Sequence, residues 1–344
     1  MTFGVSIRIK SVVSRRRAIG MALGALAFPA TAAKAGAAAL PVYEWSGTAL
    51  GAPARILIAH KSRKSAQQAV HNAIMELERI EDQFSLYRDT SQISRLNRDG
   101  HLEAPSLDMR NLLGISRHMS TLSNGAFDIS VQPLWEMIAR YVVDNARIQS
   151  IPDSPDLIAA RRLVNHRRIV LSENRILVDD GMALTFNGIA QGYATDRVIS
   201  VIRTLGFNNV LVELGEAYGM GGPTQTQPWQ VGIQGRSFDN GARPLIPLAG
   251  RALAVSSNVG TQFAPSHHLS HILDPKSGMP VSDDRYVYVM HASATIADGL
   301  STALCVMPSG RAGALLSRYP GAEAFEVTKE GIHTRLGSRL IQIQ

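Results

Sequence analysis

Asp298 and Thr302 stand four residues apart in the stretch Ala297-Asp298-Gly299-Leu300-Ser301-Thr302-Ala303. On a helix that spacing puts both side chains on one face. A carboxylate and a hydroxyl side by side suit a hard cation such as magnesium, which takes oxygen ligands and keeps several of its waters. A plain hydrogen bond on the helix surface is the other reading of the pair. His271 and Asp274 end a strand-like run, just before the turn Lys276-Ser277-Gly278. A strand-end histidine near a cation can move a proton or orient an acceptor. With His267-His268 it also spells His-His-x-x-His, but that spacing has no recognised zinc logic and no cysteine assists. Asp128 lies among apolar neighbours in Gly125 to Trp135, an expensive position for a carboxylate that lacks a donor or a ligand.

The element that must position these groups is the unit around residues 184–216. Arg175 to Phe186 reads as a strand ending at the polar corner Asn187-Gly188. Ala190, Tyr193, Ala194, Arg197, Val198, Ile202 and Leu205 then recur at helical spacing, and Gly206 closes the helix. Asn208-Asn209 turns the chain into a short buried strand, Val210 to Leu214. The helix start beside Gly188 and Gly192 carries free N–H groups and partial positive charge, so an anion is its natural guest. A structural turn whose glycines permit close packing is the plainer alternative.

Around this unit the pattern predicts strands at Pro41 to Thr48 and Ala54 to His60, joined by the corner Leu50-Gly51-Ala52-Pro53. Helices are predicted at Ser65 to Phe84 and Leu107 to Leu122, a surface helix within 144–168, and a hairpin over Asn165 to Val178. Trp229 to Gln234, Pro244 to Leu248, Arg251 to Ser256, Ser270 to Asp274 and Arg285 to Met290 alternate like strands of one antiparallel sheet. Helices at Thr295 to Met307 and Ser309 to Tyr319 precede a closing hairpin, Ala322 to Thr328 with Gly331 to Leu336.

The first 35 residues read as a cleaved leader rather than fold. Arg8, Lys10 and Ser14-Arg15-Arg16-Arg17 open it, Ala18 to Ala32 is a mild apolar run, and Ala33-Lys34-Ala35 offers a cleavage site before Gly36. Paired arginines with a mild apolar core point to the twin-arginine route, hence to the periplasm. Of 35 basic and 28 acidic residues, six basic ones lie in the leader, which leaves 29 against 28 for residues 36–344. So near-neutral a chain does not advertise a nucleic-acid surface. The single Cys305 forms no intrachain disulfide and sits in an apolar helical stretch as a small hydrophobe. No cysteine stands at the cleavage site to carry a lipid. Residues 36–344 are expected to fold as one large soluble domain or two closely joined lobes.

Seven blocks, taken in order, resemble the FAD:protein FMN transferases, also called the ApbE family. They are Phe84 to Tyr87 with Ser91 to Asn97, Gly125 to Leu134, Asn187 to Asp196, Leu211 to Glu216, Ala254 to Ser257, His271 to Gly278, and Ala297 to Leu304. The resemblance implies a mixed α/β (α+β) fold, with antiparallel and mixed sheets flanked by helices and FAD in a cleft between two lobes. It implies that FAD is split at its pyrophosphate, the FMN half moving to a threonine hydroxyl of an acceptor flavoprotein while AMP leaves. By motif, Asp298, Thr302 and the backbone oxygen of Gly188 would hold Mg2+ or Ca2+. Tyr87, Ala126, Phe127, Asp128 and Ile272 would line the FAD site, and His271 would stand beside the incoming hydroxyl. Three positions depart from the family pattern but keep cofactor-facing places. Leu50-Gly51-Ala52 stands for Met-Gly-Thr, Thr185-Phe186-Asn187 for Asp-Leu-Gly, and Gln191 for Lys or Glu. Thr185 and Gln191 can hydrogen-bond ribityl or adenine groups, and Leu50 can replace a methionine surface. The leader and the corner Asn-Gly-Ile-Ala-Gln-Gly are similar to the exported branch serving nitrous oxide respiration, whose acceptor is a membrane-bound flavoprotein regulator. A non-catalytic FAD carrier and an FAD pyrophosphatase releasing FMN and AMP are the other activities open to the same fold.

Overall fold

The computed structural model describes residues 40–145, 151–224, 226–233, 244–258, 262–264, 269–328 and 331–336. The leader and His267-His268 lie outside them. In chain order, strands β1 (Val42–Ala49) and β2 (Ala52–Ala59) form a hairpin closed by Leu50 and Gly51. Both turn residues have positive φ, 48° and 81°, as a two-residue loop that follows sheet twist requires. Helices α1 (Arg63–Phe84) and α2 (Gln92–Asp99), strand β3 (His101–Glu103) and helices α3 (Leu107–Leu122), α4 (Gln132–Asp144) and α5 (Pro155–Arg162) follow. Ser62, Ser91, Ser106 and Ser154 cap α1, α2, α3 and α5, each hydroxyl accepting a first-turn N–H. Strands β4 (Val170–Leu171) and β5 (Arg175–Leu177) join β3 in a small sheet, and helix α6 spans Ala190–Thr204.

Next come strands β6 (Val210–Glu213), β7 (Ala217–Met220), β8 (Trp229–Gly232), β9 (Leu245–Leu248), β10 (Arg251–Ser257), β11 (Gln262–Ala264), β12 (Leu269–Ser270) and β13 (Arg285–His291). Helices α7 (Ala294–Val306) and α8 (Ala312–Leu316) precede β14 (Glu323–Thr328) and β15 (Gly331–Leu336). Among the described residues the main sheet has eight strands in the order β1-β2-β6-β7-β10-β13-β14-β15, every neighbour antiparallel. The expected mixed α/β architecture is therefore present.

Strand alternation divides the core. In β2, Ile56 and Ile58 face the helical layer, while Leu57 and Ala59 face the β8–β9 hairpin across the sheet. On the helical side α1 packs on α6, α6 on α7, and α7 on β10 and β13. A smaller core of Leu134, Ile138, Leu157, Leu269 and Leu273 joins α4 and α5 to the β12 region. Among the described residues no helix is long and apolar enough to cross a membrane.

Three expectations change. The run Arg175 to Phe186 is a strand only to Leu177. Asp179 and Gly181 then turn the chain: Gly181 has φ 76°, and the Met182 N–H donates to the Asp179 carbonyl at 3.0 Å. Asn97 holds Leu184 instead, accepting its N–H at 2.7 Å and donating to its carbonyl at 2.8 Å. The expected Ser270–Asp274 strand keeps only Ser270, within β12. Ser270 Oγ takes the Ile272 N–H at 3.0 Å, and only the bridge Leu273–Pro280 continues. β8 and β9 pair with each other and lie on the sheet instead of extending it.

The tightest crossing is α6 on α7. A Cβ on Gly192 would lie 2.3 Å from the Ala294 carbonyl oxygen and 2.7 Å from Asp298 Cβ. Asp196, one turn later, accepts at the start of α7 from the Ser293 hydroxyl (2.6 Å), the Ala294 N–H (2.8 Å), the Thr295 N–H (3.0 Å) and the Thr295 hydroxyl (2.6 Å). Gly192→Ala should therefore cost about 1–3 kcal/mol or more by overpacking, measured by urea unfolding. An unchanged midpoint would show that the helices can separate freely.

Candidate active site

The start of α6 has no side-chain cap. Its guest is an anion of the same chain: Asp298 Oδ2 accepts the Gly192 N–H at 2.9 Å. One α7 turn on, the Thr302 hydroxyl lies 3.4 Å from the Gly188 carbonyl and 3.3 Å from Ser256 Oγ, which is itself 2.7 Å from Ser301 Oγ. A Cβ on Gly188 would stand 3.1 Å from Thr302 Oγ1 and 3.4 Å from the Phe127 ring. Gly188, Thr302 and Phe127 thus meet at one place, and Asp298 lies one α7 turn from Thr302, on the Gly192 N–H one turn along α6.

Burial drives the Asp298 carboxyl up to about 7, against the pull of the Gly192 N–H, with Asp196 adding repulsion. Glu216, in the β6–β7 turn, is raised as well, first by burial and then by the charge of Asp298; its one described donor is the Val255 N–H at 3.2 Å. Among the described residues neither carboxylate has a Lys, Arg or His partner. Nor do three His, Cys, Asp or Glu side chains gather around a point among them. The donor set is carboxylate, hydroxyl and peptide oxygen around uncompensated negative charge, which fits a magnesium-like ion rather than a soft metal.

The segment Gly125–Asp128 leaves α3 through two left-handed residues, Asn124 and Gly125, with φ 53° and 77°. Ser123 Oγ accepts the Phe127 N–H at 3.1 Å and fixes the exit. Asp128, expected to need a donor or a ligand, has four donors of its own: Ser130 N–H (2.9 Å), Ser130 hydroxyl (2.6 Å), His166 N–H (3.1 Å) and His166 Nδ1 (2.9 Å). Burial alone would raise its carboxyl, but these bonds prevail and hold it below the ordinary aspartate range.

An open cleft of about 210 Å3 runs between Gly125 and Asp128 on one wall and Asn165, His166, Pro275 and Lys276 on the other. It is smaller than the roughly 300–1,000 Å3 of ordinary ligand pockets, so it can take only part of a dinucleotide. His271 is half-buried just beyond β12 and Ile272 is buried. The following turn is closed by Asp274, which accepts the Lys276 N–H at 2.9 Å and, through its carbonyl, the Gly278 N–H at 2.8 Å.

Gln191 lies over Gly215, where a Cβ would be 2.4 Å from its Oε1. The Thr185 N–H donates to the Ile129 carbonyl at 2.8 Å and its hydroxyl accepts the Asn187 N–H at 3.2 Å, so it braces the corner. Leu50 and Tyr87 form a separate group at the end of α1. Glu81 accepts the Leu50 N–H at 2.7 Å and pairs with Arg88, while Tyr87 is 51% exposed. Sequence reasoning assigned no role to Asp196, Glu216, Ser256 or His166. Asp196, Glu216 and Ser256 fall inside blocks already singled out, and a carboxylate directly after a buried strand was the available signal for Glu216.

Asp128 gives a pH prediction. With its folded value depressed, its stabilisation is complete above the ordinary aspartate range and disappears as pH falls through the lower folded value. Asp128→Asn should lower stability at pH 7 by about 1–3 kcal/mol, since buried donors lose their acceptor. In urea titrations the gap to wild type should narrow below about pH 4; a gap constant with pH would assign the loss to packing.

The profile of the ApbE family matches residues 50–325. Among curated proteins, the FAD:protein FMN transferase of Vibrio cholerae is 28% identical over 242 residues, covering 68% of this chain and 72% of that one. The protein of the same name from Klebsiella pneumoniae is 25% identical over 302 residues, covering 84% and 90%. Among solved structures, apo Pseudomonas stutzeri flavinyl transferase ApbE superposes with a TM-score of 0.71 at 27% identity, over 87% of this chain and 98% of that one. The ApbE protein of Thermotoga maritima, at 24% identity and a TM-score of 0.72 over 85% and 96%, shares the fold. With its profile matched from the first hairpin to β14, and its fold shared across almost the whole of these structures, the chain belongs to the ApbE family.

Proposed function

We propose that this chain is an FAD:protein FMN transferase acting on a threonine hydroxyl of an exported or membrane flavoprotein. The observation that carries the reading is the Thr302 hydroxyl facing the Gly188 carbonyl beside Phe127, with the Asp298 carboxylate one turn away on the Gly192 N–H. Magnesium held by these three groups would supply positive charge against the phosphate oxygens as they gain charge. The chain's own side chains do the rest. Tyr87, exposed after α1, offers a ring to a flavin, and Leu50 is held to the last turns of α1 through Glu81. Ala126 and Phe127 form an apolar wall, and Ile272 adds a buried surface beyond β12. Asp128 acts by holding the Gly125–Asp128 segment to His166, since its carboxylate is already filled. Thr185 and Gln191 provide polar groups at the corner.

His271 takes the proton of the acceptor threonine. The oxygen–phosphorus bond to FMN forms as the pyrophosphate P–O bond breaks, and AMP leaves with that electron pair. Family membership supports this reaction over a carrier. The leader sequence supports an exported enzyme, and an acceptor at the membrane face, such as a flavoprotein regulator of nitrous oxide reduction, suits that compartment.

Transfer assays and a fractionation test the proposal. With FAD, magnesium and a threonine-bearing acceptor, the wild type should give a flavin-fluorescent acceptor band on a denaturing gel. Asp298→Ala should lower the rate by roughly a thousandfold, as expected when a cation worth several kcal/mol of charge stabilisation is lost. Thr302→Ala should be milder. His271→Ala should slow single-turnover transfer by about 10²–10⁴-fold with FAD affinity kept within a few-fold. Free FMN and AMP without a labelled band would replace the transferase with a pyrophosphatase. Loss of FAD affinity in step with rate would make His271 structural. For export, replacing Arg15, Arg16 and Arg17 with Lys should hold the precursor in the cytoplasm; normal periplasmic appearance by fractionation contradicts the twin-arginine route.

A further inference from the structure

Glu216 is 5% exposed and Asp298 4%, yet each has a single described hydrogen-bond donor, Val255 N–H and Gly192 N–H. Asp128, buried to a similar degree, has four. Two carboxylates of like charge in a dry place are costly unless a proton or a cation joins them. The backbone brings them to the same oxygen array. Val255, which donates to Glu216, precedes Ser256, whose hydroxyl is 3.3 Å from Thr302 Oγ1, and Thr302 in turn faces the Gly188 carbonyl. Gln191, packed over Gly215, ties the turn that carries Glu216 to the first turn of α6.

We propose that Glu216 is a second carboxylate of the cation site, so that the site offers a divalent, oxygen-seeking cation two carboxylates, a hydroxyl and a peptide oxygen. The inference rests on the reading of Asp298 and Thr302 as cation ligands. Its consequence is a change in order. A magnesium ion whose charge the protein does not offset relies on substrate phosphates to hold it. Two buried carboxylates neutralise a dication by themselves, so the ion is held before FAD arrives.

The test is calorimetric or electron-spin titration of the chain lacking its leader with Mn2+ alone, without FAD. Wild type should bind Mn2+, Asp298→Asn should abolish binding, and Glu216→Gln should weaken it by at least about 10- to 100-fold, the loss typical of groups that only support a metal's ligands. Metal-free Glu216→Gln should also melt at or above the wild-type temperature, because an unpaired buried charge has gone, and gain less from added Mn2+. Unchanged Mn2+ affinity in Glu216→Gln, with binding lost in Asp298→Asn, overturns the inference and leaves the cation site standing. Binding intact in both variants removes the cation site itself. A metal-free Glu216→Gln that melts well below wild type shows that the fold satisfies the Glu216 carboxylate without a metal and overturns the inference.

Discussion

The near-contact of α6 and α7 is the constraint on which the rest depends. With no side chain at Gly192, the backbone of one helix meets the Ala294 carbonyl of the other, and Asp196 fastens the crossing by capping α7 with four hydrogen bonds. That closeness puts the Asp298 carboxylate on a free N–H of α6 and the Thr302 hydroxyl opposite Gly188. Helix packing and site assembly are therefore one event: the residues that allow the helices to touch also fix the distances among the oxygen donors.

The molecule treats its buried carboxylates in two ways. Asp128 is satisfied completely, and its bonds to Ser130 and His166 lock the α3 exit to the chain before β4. Asp108 is likewise compensated, by Arg79 and the Tyr193 hydroxyl between α1, α3 and α6. Asp298 and Glu216 are left with one donor each and repel one another. A folded chain keeps such an imbalance only where a proton or a cation offsets it, and the second case gives the proposed cation its physical reason. Full satisfaction marks the framework; under-satisfaction marks the site.

Much of this was legible in the residues. Helical periodicity located α1, α3, α6 and α7 to within about two residues, because each has an apolar face bounded by a capping serine or a glycine stop. The four-residue step from Asp298 to Thr302 was visible for the same reason. What stayed hidden was non-local. The helix N-terminus did call for an anion, but nothing local says that the anion is Asp298, 106 residues from Gly192. The stretch after Arg175 looked like a strand because its apolar residues are buried in the core, whereas its backbone is paired by Asn97 and the Ile129 carbonyl and by no neighbouring strand among the described residues. Asp128 looked in need of a ligand because its partner, His166, lies 38 residues away. Glu216 closed the block Leu211 to Glu216, but nothing local tied it to Val255, to which the β6–β7 turn brings it.

The central claim is that the α6–α7 contact builds a cation site for pyrophosphate chemistry. The most direct measurement is anomalous diffraction from crystals grown with Mn2+. A peak is expected roughly 2.0–2.2 Å, the distance typical of a small hard dication, from the Gly188 carbonyl, Thr302 Oγ1 and the Asp298 carboxylate. No peak between these groups, or a peak elsewhere while the same protein still transfers FMN, would contradict it.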